Sequence, residues 1–199
     1  MTDGQTGTNP RVRGLRFELL SDSWAILRRA SFEWEQPDGT WTPELREAYD
    51  RGNGATILLH DPARRTVLLT RQFRLPAFVN GHADGMLLET PGGLLDDEHA
   101  DDAIAREAEE ETGYRIRNLR RLFELFMSPG SVTERVAFYV AEYDHSTRTG
   151  AGGGLLHEGE SIEVVELDLQ EAIGLVERGG IVDGKTVILL QWASANLVG

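Results

Sequence analysis

The chain has 199 residues, 40% hydrophobic and 27% charged, with a formal net charge of −13 and no cysteine. That length suits one medium domain, or one domain with a small appendage, and the acidic balance argues against duplex nucleic acid or an anionic membrane as partner. The lack of cysteine excludes disulfides, thiolate nucleophiles and Cys-based zinc sites. With no stretch apolar enough to span a bilayer and no signal-peptide core in MTDGQTGTNP, the default expectation is a cytoplasmic protein.

Residues 1–13, polar and rich in Gly, Thr and Asn, read as a flexible tail. From Leu15 to Asp50 two aromatic-rich, partly alternating runs, WAILRRASFEWE and TWTPELREAYD, are joined through Pro37-Asp38-Gly39. This hairpin signal predicts a small antiparallel sheet over 14–50, ahead of a main domain over 51–199. GATILLH and TVLLTRQFR predict two strands around the Asp61-Pro62 turn. Arg71 and Arg74 in the second run have an odd spacing, so an unbroken strand would point them to opposite faces. A loop, LPAFVNGHADG, leads to MLLETP. Further on, LRRLFELFM and RVAFYVAEY predict strands joined by a tight turn at Pro129-Gly130. A polar, Gly-rich loop over 144–161 precedes the strand IEVVEL, and helices over Leu169–Arg178 and Lys185–Asn196 close the chain. Strands interleaved with helices predict the α/β class, an α/β/α sandwich.

The stretch around which the rest is organised is 92–114, GGLLDDEHADDAIAREAEEETGY. Ala100–Thr112 lacks Gly and Pro and predicts one helix, stopped by Gly113. At about 100° per residue, Ala100, Ala103, Ile104 and Ala108 form one apolar stripe. Glu107 and Glu111 fall in the middle of that stripe and Glu110 at its edge, while Asp102, Ala105, Arg106 and Glu109 take the opposite side. Two carboxylates four residues apart repel by roughly 0.2–0.5 kcal/mol even in water, and burying them unpaired costs several times more. A cation joining them removes the conflict, and a hard divalent ion such as Mg²⁺, or else Mn²⁺, is the natural candidate. Arg106, four residues before Glu110, is placed to orient it.

The spacing of Gly92, Glu98, Arg106-Glu107-Ala108, Glu110-Glu111 and Gly113-Tyr114 matches every fixed letter of the Nudix box. Chance would produce this at a given start on the order of once in 10⁸. The chain therefore resembles the Nudix hydrolases, with Ala108 and Tyr114 in slots often filled by larger aliphatics. The resemblance implies the same sandwich fold and metal-dependent hydrolysis of a phosphoanhydride, with Glu107 and Glu111 as metal ligands and Glu110 in the catalytic set. ETPGGLLDD also resembles the family's Pro-Ala-Gly-Leu segment. In that register Gly92 takes the Ala position, whose carbonyl ligates metal.

Outside the box, YDRGNGATILL, RQFRLPAFVNGH, LFELFMSPGSVTE, AGGG before an acidic run, and DGKTVILLQ look like the GDP-mannose pyrophosphatase group, close to the ADP-ribose pyrophosphatases. The implied reaction turns GDP-mannose into GMP and mannose 1-phosphate; the alternative is ADP-ribose giving AMP and ribose 5-phosphate. The group implies a loop glutamate as third metal ligand or base, here Glu160, with Glu158 as runner-up. It also implies Arg74 on the phosphates and Lys185 on the substrate. A homodimer exchanging N-terminal sheets is implied as well, in which Trp24 and the Arg46-Glu47 region of the partner subunit help to hold the nucleotide. Arg51, and Glu134 as acceptor from sugar hydroxyls, complete the candidates. Leu45 stands where relatives carry a basic residue, which removes one charge contact.

Overall fold

The computed structural model describes residues 7–95, 99–155 and 161–197. The chain divides into two compact units. One runs to Asn53 and takes in Phe126–Arg135; the other comprises Gly54–Leu125 and the chain from Val136 onward.

In the first unit, strands β1 (Val12–Asp22), β2 (Ile26–Glu35) and β3 (Trp41–Asp50) form an antiparallel sheet in the order β1-β2-β3. The hairpin expected at Pro37-Asp38-Gly39 closes β2 onto β3, with Glu35 opposite Trp41. Asp38 fixes its turn by accepting from the Thr40 amide at 2.9 Å and the Thr40 hydroxyl at 2.7 Å. The sheet starts earlier than the sequence pattern indicates. β1 already pairs with β2 at Val12, opposite Trp34, so Val12 and Arg13 belong to the sheet and not to the expected tail. Its alternation is weak because most of its residues are exposed on both faces. The segment around Pro129-Gly130 also does more than turn. Ser131 and Val132 amides both bond the Ser128 carbonyl, and Tyr49 then exchanges backbone bonds with Ser131 and Thr133 at 2.8 and 3.0 Å, extending the β3 edge.

The second unit is built on seven strands: β4 (Asn53–Asp61), β5 (Thr66–Phe73), β6 (Met86–Glu89), β7 (Gly92–Leu95), β8 (Arg117–Phe126), β9 (Arg135–Glu142) and β10 (Glu163–Asp168). The order is β10-β5-β4-β9-β8, with β6 on β5 and β7 on β4. β4 and β9 run parallel, Ile57 opposite Tyr139, whereas β5 is antiparallel to β4, β6 and β10. The uninterrupted apolar runs of β4 and β5 are those of strands covered on both faces. Ile57, Leu58, Leu59, Leu68 and Leu69 are all fully buried. One face, carrying Ala55, Ile57, Leu59 and Tyr139, packs on Ile104 and Ala108 of helix α2 (Ala100–Thr112). The other carries Thr56, which reaches helix α4 (Gly184–Asn196) through Thr90 and Thr186. Helix α3 (Leu169–Glu177) follows β10 directly, its first turn capped by Asp168. These are the three expected layers.

One local expectation needs correction, and one segment gains an assignment. The loop after β5 contains a short helix, α1 (Leu75–Val79), with Pro76 in its first turn, where proline's fixed φ and missing amide cost nothing. The glycine segment before α2 is a strand, β7, drawn out along β4. A Cβ at Gly92 would lie 2.2 Å from the Ala55 carbonyl oxygen, so only glycine permits that approach.

Candidate active site

α2 begins and ends as its sequence dictates. Asp101 and Asp102 sit in its first turn, complementing the helix dipole, and Gly113 ends it in the left-handed region with φ of 76°. The buried side of the helix is Ala103, Ile104, Ala108, Glu111 and Thr112. Glu111 is 1% exposed, a carboxylate on the core-facing stripe, and Glu107 lies one turn earlier, mostly covered. Gly93 of β7 lies against Glu107: a Cβ there would fall 2.7 Å from the carboxyl carbon. Glycine thus keeps clear the space in front of this carboxylate. Arg106 bridges Glu107 at 3.1 Å and Glu110 at 2.8 Å, so it steadies two box glutamates, where the sequence pointed to one.

Arg74 caps α1 rather than extending β5, in extended backbone beyond the strand's last residue. Its Nε and Nη2 donate to one oxygen of Glu89 at 2.9 and 2.6 Å, and Glu89 is 3% exposed. Burial opposes the Arg74 charge, but the Glu89 bond and the fields of Glu89, Glu111 and Asp183 outweigh it, and the guanidinium's pKa rises above its ordinary value. Arg71 pairs with Asp84 and Glu163; because Arg74 lies beyond β5, the alternation of an unbroken strand does not set the two directions. Lys185 lies in the first turn of α4 and donates to Asp183 Oδ1 at 2.6 Å, while the other Asp183 oxygen accepts the Thr186 amide and hydroxyl at 2.9 and 2.8 Å. Arg74 and Lys185 are thus each held by a carboxylate that sequence reading passed over, Glu89 for Arg74 and Asp183 for Lys185. Asp183 left a signal, an Asp at a helix start; Glu89, ending an apolar run, left none.

The C-terminal end of α2 is clamped by glycines. Gly153 and Gly154 amides donate to the carbonyls of Glu111 and Glu110 at 2.8 and 3.3 Å, and Ile162 in turn donates to the Gly153 carbonyl at 3.2 Å. A Cβ on Gly152, whose φ is +72°, would lie 2.5 Å from the Glu111 carbonyl oxygen. Glu158 and Glu160, the loop candidates, and Glu98 of the box lie outside the described residues.

The first unit gathers three of the expected substrate residues. Arg51 lies over the Trp24 ring at 5.5 Å from its centroid and pairs with Glu134 at 3.4 Å; Trp24 is 74% exposed. Arg46 and Glu47 form other ion pairs. They are adjacent on β3 and so face opposite ways, Arg46 onto Glu44 and Glu47 toward Arg29.

A profile of the NUDIX domain matches residues 50–189, and one described as the GDP-mannose pyrophosphatase NudK N-terminal domain matches residues 11–49. The chain belongs to the Nudix family. Among similar proteins, one named GDP-mannose pyrophosphatase from Pectobacterium atrosepticum is 53% identical over 176 residues, 88% of this chain and 90% of that protein. Proteins of the same name from Klebsiella pneumoniae and Yersinia enterocolitica are 50% and 49% identical. The alignments cover 93% and 94% of this chain and 92% and 96% of theirs.

As a Nudix pyrophosphatase the chain belongs to hydrolases that work with divalent metal ions. Among the described residues no group of three or more His, Asp or Glu side chains closes on one point. What is present still fits a hard cation: oxygen donors only, two box carboxylates on one face of α2, and a glycine strand whose missing Cβ leaves room at Glu107. No helix of the described residues is long and apolar enough to cross a membrane.

Proposed function

We propose that this Nudix protein hydrolyses GDP-mannose to GMP and mannose 1-phosphate, with Mg²⁺ or Mn²⁺ held by Glu107, Glu111 and the Gly92 carbonyl. The observation that carries the reading is the Glu107–Glu111 pair, kept on the covered face of α2 with Gly93 clearing the space before it. A cation there would neutralise phosphate charge and act as Lewis acid toward the attacking water. Arg74, locked by Glu89, and Lys185, steadied by Asp183, offer fixed positive charge to the two phosphates. Water adds to one phosphorus, the bond to the bridging oxygen breaks, and the proton goes to a carboxylate, read as Glu160 with Glu158 as runner-up. Arg106 keeps Glu110 and Glu107 oriented around that chemistry.

Support for the nucleotide sugar comes from relatives that share both parts of the chain, the N-terminal segment included. We read Trp24, Arg51 and Glu134 as a nucleotide- and sugar-holding cluster, the ring for stacking and the ion pair for polar edges. Arg46 and Glu47 belong to the same reading only as single contacts from opposite faces of β3. A cytoplasmic homodimer through the N-terminal sheet completes it.

Product identification from a panel of diphosphate sugars in Mg²⁺ tests the reading. GMP and mannose 1-phosphate released from GDP-mannose faster than AMP from ADP-ribose is the expected result. Equal or greater turnover of ADP-ribose reverses the assignment. Glu160→Gln should impair turnover more than Glu158→Gln, and the opposite order exchanges their roles.

A further inference from the structure

Between Glu89, which holds Arg74, and Gly92, which opens the strand beside Glu107, lie only Thr90 and Pro91. A run of buried hydroxyls that the reaction does not use fixes this pair. Thr186 donates its hydroxyl to Asp183 at 2.8 Å and accepts the Thr90 amide at 2.7 Å. Thr56 donates to the Pro91 carbonyl at 3.1 Å, which leaves its lone pair to accept the Thr90 hydroxyl at 2.8 Å. Each hydroxyl has one proton, so these partners set the direction of every bond. Thr56 and Thr186 are fully buried and Thr90 is 3% exposed. Valine would fill the same volume, so the hydroxyls are there for their bonds. One end of the run is Asp183, which also holds Lys185 at 2.6 Å. The other end is the Pro91 carbonyl, which takes the Ile57 amide as well, at 2.9 Å.

We propose that Thr186, Thr90 and Thr56 are positioning residues that join the Lys185–Asp183 pair on α4 to the glycine strand beside Glu107, so that one hydrogen-bonded chain sets both metal affinity and the hold on the substrate's charge. The inference rests on the reading of Glu107 and Glu111 as metal ligands. It differs from a packing role in what it demands of the hydroxyl: serine must serve and valine must not.

Calorimetric binding of Mn²⁺ to the purified full-length protein, with KM for GDP-mannose at saturating Mg²⁺, provides the test. Thr186→Val should weaken Mn²⁺ binding about tenfold and raise KM, the scale seen when groups that orient metal ligands are lost. Thr186→Ser should restore both. Thr56→Val leaves the Asp183 end intact, so it should weaken Mn²⁺ binding with little change in KM, and it carries the test alone should Thr186→Val fail to fold. Wild-type Mn²⁺ affinity in the valine variants overturns the proposal, as does a defect that serine does not rescue. A wild-type protein that binds no Mn²⁺ overturns the metal-site reading together with this one, which distinguishes the two failures.

Discussion

The Arg74 guanidinium meets Glu89 through two nitrogens, and Glu89 is almost wholly enclosed while Arg74 stays 41% exposed at its side chain. Taking away one partner of a fully buried pair costs about 3–5 kcal/mol, and solvent at Arg74 reduces that here. Glu89→Gln keeps the shape and one acceptor but removes the charge that pins the guanidinium. Steady-state kinetics should show KM up by about tenfold, roughly 1.4 kcal/mol, with kcat less affected. Glu111→Gln should instead lower kcat by about 10²-fold or more with an unchanged circular dichroism spectrum, and a near-wild-type rate would remove Glu111 from the site. Glu107 and Glu111 were legible in the sequence because a helical wheel sets them among alanines and Ile104. Glu89 was not, since its meaning depends on Arg74, which meets it across the end of β5.

α2 is held at both ends by groups distant in sequence. Tyr139 of the central sheet donates to Asp101 at 2.7 Å, and the Gly152–Gly154 run bonds the last carbonyls. Gly152→Ala would force a left-handed residue to carry a Cβ, costing about 1–2 kcal/mol, and push that atom against the Glu111 carbonyl. A melting temperature lower by several degrees is expected, with slower turnover because the displaced turn carries Glu111. A variant that melts and turns over as wild type would show that the clamp yields freely. The bounds of α2 could be read from glycines and an unbroken helix-forming run. β7 and α1 could not, because GGLL has no alternation and owes its strand form to β4, and five residues are too few for a helical period.

For the molecule as a whole, acid is a specific stress. His60, beside the buried Asp61 at the end of β4, has its pKa lowered by burial, against the pull of the Glu142 and Asp61 charges. The unfolded chain takes up this proton near pH 6.5 while the folded chain resists it, so stability falls as pH drops below that value. Urea midpoints across this range should decline, and His60→Gln should flatten the part of the decline that belongs to this group. The three layers and the N-terminal sheet could be anticipated from periodicity and turn chemistry. The interlacing of Phe126–Arg135 with β3 could not, because a backbone pairing across so much chain leaves no local pattern. The bond between Gly153 and Ile162 has one more consequence. It ties the glycine run that clamps α2 to the residue just before β10, the strand at one end of the sheet order. A disturbance of the sheet at that edge is thereby relayed to the turn that carries Glu111, so the amides of β10 and of the Gly152–Gly154 run should lose their hydrogen-exchange protection together.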